Sequence, residues 1–240
     1  MPDMTYRLHY APDNASLIVR LVLEELGLPY TVALVDRAAK AQEQPAYRAV
    51  NPTGLIPALE TGDGVLFETA AILLWLADTH GRMAPAPDSP ARGPFLRTLF
   101  FVSNTLHAQM RMVFYPWKYV GDDPAAQDAL RTKLLTPHAT DMSVPGGLAL
   151  LDAYLGTCAR SADDMPSILE CYAAALVRWC TIYPADRAGW LTLDTYPHLQ
   201  TLVRRLDARP ATRTVAKAEG LGPHPFSQAT LPNPPEGSAL

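Results

Sequence analysis

The chain has 240 residues, 48% of them apolar, with 20 basic against 24 acidic side chains and a formal charge of -4. That length accommodates one large domain or two small ones with a genuine core, and the basic residues are scattered, which leaves no electrostatic footprint for nucleic acid. No apolar run approaches the roughly 18 residues needed to span a bilayer, and the opening residues carry no basic flank or apolar leader segment, so a cytoplasmic protein without membrane contact is expected.

In chain order, Thr5 to Tyr10 alternates as a half-buried strand does, and Ser16 to Leu26 carries apolar residues at helical spacing up to Gly27. Tyr30 to Val35 reads as a second strand and Gln42 to Val50 as a short irregular helix before Asn51-Pro52. Pro57 to Glu60 and Val65 to Phe67 form a hairpin around Thr-Gly-Asp-Gly, followed by a helix from Thr69 to His80. The order βαβαββα predicts a small thioredoxin-like α/β domain over 1–82.

Met83 to Pro94 is rich in Ala, Pro, Asp and Ser and reads as a linker, 83–94. An all-helical domain over 95–220 is expected beyond it. Its first long amphipathic helix runs from Leu96 through Phe114 and ends or kinks at Pro116. Pro145-Gly146-Gly147 is expected to break the next helical region before Leu148 to Leu155. Ser167-Ile168-Leu169-Glu170 is a capping box that opens a central apolar helix. The stretch 221–240 has five prolines and little periodicity, and predicts a tail that is either disordered or draped over the body.

Cys158, Cys171 and Cys180 form neither a CxxC pair nor a metal-ligand pattern, so buried free thiols and no metal are expected. The 157 residues before them contain no cysteine, which excludes dithiol chemistry in the N-terminal half.

Two segments carry the chemistry. In Asn51-Pro52-Thr53-Gly54-Leu55-Ile56-Pro57, the proline entering a strand predicts a tight connection, compatible with a cis bond, that leaves the backbone of Ile56 free to pair with an extended peptide. Glu68-Thr69 stands where a strand gives way to a helix, so N–H groups and the positive helix end await a carboxylate while Glu68 meets an ammonium. Together they suggest a glutathione site.

With these motifs go Tyr10-Ala-Pro-Asp-Asn-Ala-Ser-Leu17, Leu106-His107, and Tyr196-Pro-His-Leu199 running through Arg209-Pro210 to Glu219-Gly-Leu221. Over roughly residues 5 to 220 the chain resembles the glutathione transferase superfamily, most closely its bacterial beta class. The resemblance implies glutathione as co-substrate, a homodimer, and conjugation of the glutathione thiolate to a hydrophobic electrophile. It also places Ala15 where the beta class has its catalytic cysteine. The thiol-activating candidates are then Ser16, Asn14 and Tyr10. Ser16 alternatively serves only as the N-cap of the first helix, Asn14 as a turn residue, and Tyr10 as packing. Ile56, Pro57, Glu68, Thr69 and His107 are the glutathione-binding candidates, with Arg111 in place of the basic residue that usually follows the histidine. Met110, Arg111, Phe114, Tyr115 and Trp117 are expected to line the acceptor pocket. Two alternatives accompany this reading: a glutathione-dependent enzyme that cleaves ether or carbon–halogen bonds, and a non-catalytic ligand carrier or scaffold on the same fold.

Overall fold

The computed structural model describes residues 6–137, 143–158, 164–187 and 189–239, so Thr5 and Leu240 lie outside the described residues. Four strands, β1 (Tyr6–Tyr10), β2 (Tyr30–Leu34), β3 (Ala58–Thr61) and β4 (Gly64–Phe67), form one sheet in the order β2-β1-β3-β4. The β1–β2 pair is parallel and the other two pairs are antiparallel. Parallel pairing requires a crossover, which α1 (Ser16–Leu26) supplies. Gly27 closes that helix in the left-handed conformation at φ 66°, where a residue without Cβ carries no steric penalty. Instead of one irregular helix before Asn51 there is a 3-10 turn, Ala41–Glu43, and a single helical turn α2 (Pro45–Arg48). Helix α3 (Thr69–His80) follows the hairpin and completes a thioredoxin-like unit.

The rest is helical: α4 (Arg92–Phe101), a π-helical segment (Val102–Leu106), α5 (His107–Phe114), α6 (Trp117–Val120), α7 (Pro124–Leu135), α8 (Val144–Thr157), α9 (Ile168–Ile182), α10 (Pro197–Asp207) and α11 (Pro210–Glu219). Helix α4 starts inside the stretch read as linker. Among the described residues no helix is long and apolar enough to cross a membrane.

Both halves of the capping box form at the head of α9, Glu170 N–H to Ser167 Oγ at 3.2 Å and Ser167 N–H to Glu170 Oε2 at 2.7 Å. The helix behind it is buried along almost its whole length and packs against α1 and α10. Pro145-Gly146-Gly147 does not break a helix; it opens α8, with Ser143 as N-cap. Proline suits a first turn because the missing N–H has no helical partner there. A Cβ on Gly147 would stand 2.9 Å from Leu106 Cδ1, so the glycine lets α8 approach the π segment closely. Among the cysteines, Cys171 and Cys180 are buried but Cys158 is exposed, contrary to expectation.

The tail drapes over the body. Phe226 is buried, the Asn233 N–H donates to the Gly220 carbonyl at 2.8 Å, and Arg178 donates to the carbonyls of Pro225 and Thr230, each at 2.9 Å. Gly220, at φ 65°, ends α11, and a Cβ there would fall 2.0 Å from the Asn233 carbonyl oxygen. Tail and helix end therefore fit each other only around a glycine.

Candidate active site

Asn51 shapes one wall. Its amide donates to the Leu55 carbonyl at 2.7 Å, and its own side-chain oxygen accepts from the Thr53 N–H (3.1 Å) and hydroxyl (2.8 Å). Tyr47 donates its phenol to the same Leu55 oxygen at 2.7 Å. Gly54, at φ 67°, passes so close to the Gln42 carbonyl that a Cβ would stand 3.0 Å from it. This braced loop delivers the chain to a cis Ile56–Pro57 bond. Ile56 makes no backbone hydrogen bond to other described residues, which leaves its N–H and C=O available.

Glu68 forms the next wall. It is the N-cap of α3 at φ 71°, a left-handed value uncommon for a residue with a Cβ. Thr69 is the first residue of the helix rather than its cap, and its hydroxyl has no partner among the described residues. The first-turn N–H groups of such a helix lack internal partners and point outward.

The continuous helix formed by α4, the π segment and α5 lies opposite. Ser103, His107, Arg111 and Phe114, at steps of four, four and three, face the cavity. Met110 does not: it is buried on the neighbouring stripe with Leu106 and Val113, its sulfur 3.7 Å from Cys180 Sγ. Residues three apart on a helix are displaced by about a sixth of a turn, enough here to place Met110 in the core and not on the cavity wall. His107 Nδ1 is 2.8 Å from the Tyr172 hydroxyl, and its ring stacks obliquely on Trp179. Burial, followed by the positive charge of Arg111, lowers the imidazole pKa to about 4, so His107 is neutral near pH 7. Burial, then the Glu68 charge, raises that of the Tyr172 phenol, which keeps its proton.

The loop before α1 separates the three thiol-activating candidates. Asn14 and Ala15 line the cavity, and Asn14 Oδ1 accepts the Ala15 N–H at 2.8 Å. Ser16 is fully buried, and its hydroxyl accepts from the Ala11 N–H (3.2 Å) and donates to the Ala11 carbonyl (3.0 Å). It is neither the helix cap, a position held by Ala15, nor a cavity group. Tyr10 is also buried, and its phenol donates to Glu236 of the tail, outside the cavity.

The group that fixes this loop is Asp13. Its carboxylate accepts from Arg178 Nε (2.8 Å) and Nη2 (3.0 Å), Trp179 Nε1 (2.8 Å) and the Tyr183 hydroxyl (3.2 Å). Arg178 and the Asp13 side chain are both fully buried. From the other side the Asp13 N–H donates to Glu219 Oε2 at 2.9 Å, and Arg20 Nη1 lies 3.4 Å from Glu219 Oε1. Arg209 holds Glu25 of α1 in two hydrogen bonds of 2.6 and 2.8 Å. The segment from Arg209 to Glu219 thus ties α11 to α1.

Burial raises the Glu219 carboxyl from its ordinary 4.5 to about 7, against the lowering effect of Arg20. Between these values the folded protein holds a proton that the unfolded chain has released. Stability therefore falls as pH rises through that window and is level, for this group, outside it. Glu219→Gln keeps an acceptor for the Asp13 N–H and removes the titration. Urea midpoints measured from pH 4.5 to 7 are expected to decline less steeply in the variant than in the wild type.

All these walls enclose one cavity of about 680 Å³, within the usual range for small-molecule sites. Phe114, Tyr115 and Trp117 line it, and so do Arg37, Lys118 and Tyr172, which the sequence did not single out. Among the described residues no group of three potential metal ligands occurs.

A thioredoxin-like sheet unit that presents the Ile56 backbone and the α3 N-terminus across a cleft from an all-helical unit defines the class of two-part folds to which the chain belongs. Residues 15–79 match the family model described as glutathione S-transferase, N-terminal domain. Glutathione S-transferase GstB of Escherichia coli K12 is 30% identical over 200 residues, covering 82% of this chain and 90% of that one. A sphingomonad glutathione S-transferase solved with glutathione is 28% identical with a TM-score of 0.69, covering 90% of this chain and all of its own. The bacterial beta class enzyme of Sphingomonas chungbukensis is 27% identical with a TM-score of 0.68, over 89% of this chain and 98% of its own. The chain belongs to the glutathione S-transferase family, and its likeness is broadly to the bacterial, beta-class members.

Proposed function

We propose that the protein conjugates the thiolate of bound glutathione to an electrophile held against Phe114, Tyr115 and Trp117. The observation that carries this reading is the meeting, on one cavity with Asn14 and Ala15, of three segments distant in sequence: Ile56-Pro57, Glu68-Thr69 and His107. The Ile56 backbone pairs with the cysteinyl part of the tripeptide. The α3 N-terminus and Thr69 hydroxyl take the γ-glutamyl carboxylate, and Glu68 takes its ammonium. Neutral His107 donates or accepts a hydrogen bond and carries no charge to the ligand. Ala15 has no thiol for a mixed disulfide, so the nucleophile is the ligand's own sulfur. Its ionisation is favoured by the N-terminal end of α1 and the Asn14 amide, since donors aimed at a developing anion lower its pKa. The free thiols Cys158, Cys171 and Cys180 suit a reducing cytoplasm. Pairing into a homodimer belongs to the same reading, supported by the exposed Val65, Phe67 and Phe100.

Turnover with 1-chloro-2,4-dinitrobenzene tests the assignment. Asn14→Ala is expected to lower kcat about tenfold or more, as loss of an anion-stabilising donor does. Ser16→Ala is expected to leave kcat unchanged and lower stability by about 1 kcal/mol, because it unpairs the Ala11 N–H. The opposite ranking would return the activating role to Ser16.

A further inference from the structure

Most buried or half-buried arginines among the described residues are matched to carboxylates, as Arg178 is with Asp13, Arg209 with Glu25, Arg92 with Asp78 and Arg205 with Glu170. Three cations on the cavity wall are not. Arg37, Arg111 and Lys118 all line it, and none lies within 4.0 Å of a carboxylate among the described residues.

They gather around aromatic rings. Arg37 Nη1 donates to the backbone carbonyl of Ala239, which also lines the cavity, its Nη2 donates to the Tyr115 hydroxyl at 3.1 Å, and its guanidinium carbon is 5.9 Å from the centre of that ring. Lys118 Nζ is 5.1 Å from the same centre, and Arg111 Nη1 donates to the Tyr119 hydroxyl at 3.2 Å. Tyr115 in turn meets Trp117 edge to face at 5.5 Å. The cations sense one another, since burial and then the charges of Arg111 and Arg37 lower the Lys118 pKa, with only the exposed Glu43 opposing.

Among the described residues, the carboxylates lining the cavity do not offset this charge. Asp13 is saturated by Arg178, Trp179 and Tyr183, and Glu68 stands at the α3 N-terminus. Cations that share a half-enclosed site without a carboxylate among the described residues repel one another and focus a positive potential that an anion relieves. Of the two glutathione carboxylates, one is assigned to α3, so three cations exceed what the tripeptide alone requires.

We propose that the acceptor subsite is built for an electrophile that couples an apolar, aromatic-sized body to a carboxylate, the body lying against Tyr115 and Trp117 and the carboxylate among Arg37, Arg111 and Lys118. This rests on the transferase reading and narrows it, from a hydrophobic electrophile to an amphipathic anion. In the test reaction the glutathione sulfur forms a bond to an aryl carbon, the carbon–chlorine bond breaks, and chloride leaves with the electron pair. The thiol proton has already passed to solvent.

The experiment compares 4-chloro-3,5-dinitrobenzoate with its methyl ester, each kcat/KM divided by the uncatalysed rate constant. The full-length protein should favour the carboxylate about tenfold, the worth of one charge-assisted contact, and the preference should shrink with added salt. Lys118→Met and Arg37→Met should each lower the carboxylate-to-ester ratio while KM for glutathione stays as in the wild type. Equal normalised values for the two acceptors would overturn the proposal. So would variants that raise KM for glutathione equally with both acceptors, which would assign the cations to the tripeptide. Calorimetric binding of the two preformed glutathione conjugates supplies the comparison without turnover. Tighter binding of the carboxylate conjugate by a protein that turns over neither acceptor would support the subsite and contradict the transferase reading. Equal binding would contradict the subsite alone.

Discussion

Replacing Asp13 by alanine is expected to destabilise the protein by about 3–5 kcal/mol, the usual consequence of stranding one member of a buried ion pair. Arg178 has no exposed surface, and two of its donors point at Asp13. Its remaining contacts, the carbonyls of Pro225 and Thr230, cannot neutralise a guanidinium. Trp179 and Tyr183 would lose an acceptor at the same time. Asp13→Asn should be milder, because the amide oxygen still accepts while the charge is lost. Because the loop also carries Asn14 and Ala15, the surviving folded fraction should bind glutathione with its thiol less ionised. Urea denaturation reads the first effect. A loss below about 1 kcal/mol would mean that Arg178 finds other compensation.

Thr69→Ala is expected to raise the glutathione Kd by about ten- to a hundredfold, corresponding to loss of a hydrogen bond to a charged group. In the free protein the threonine hydroxyl has no described partner, so its removal breaks no internal bond and α3 keeps its Glu68 cap position. The helix should therefore remain intact, which circular dichroism and the urea midpoint can verify. Isothermal titration gives the affinity. Unchanged binding would displace the γ-glutamyl carboxylate from this helix end and with it the orientation of the tripeptide.

These two predictions differ in how far sequence could reach them. The helix start at Thr69 is legible because its signals are local: a strand of apolar residues, a break, and a run of helical spacing. The same locality made the spans of α1 and α3 and the capping box at Ser167 readable. Asp13 and Arg178 stand 165 positions apart, and no local pattern joins them. A partial signal existed in the lone arginine inside the apolar run from Ala173 to Cys180. A charge there is buried and needs a partner, though sequence does not say which.

The misplaced residues have equally specific causes. Ser16 reads from sequence either as a thiol-activating hydroxyl or as a cap, because serine at the start of a helix serves both roles. Its hydroxyl instead bonds both backbone groups of Ala11, an arrangement set by the shape of the loop. Met110 shares an apolar character with its cavity neighbours, yet Ser103, His107 and Arg111 lie on the stripe that faces the cavity and Met110 on the stripe that faces the core. Pro145-Gly-Gly read as a break because proline and glycine are judged without knowing what packs on them. With Leu106 against Gly147, they make a helix start. Arg37 and Lys118 reach the cavity from a loop and from the short helix α6, where side-chain direction follows from tertiary placement alone.

The central claim is that this cavity binds glutathione and ionises it without a cysteine or a serine from the protein. It is tested most directly by titrating the ultraviolet absorbance of the thiolate against pH for glutathione mixed with the purified protein, alongside free glutathione. The account predicts a thiolate signal already present near neutral pH, retained in Ser16→Ala and weakened in Asn14→Ala. A titration curve that superimposes on that of free glutathione, with binding established by calorimetry, would contradict it.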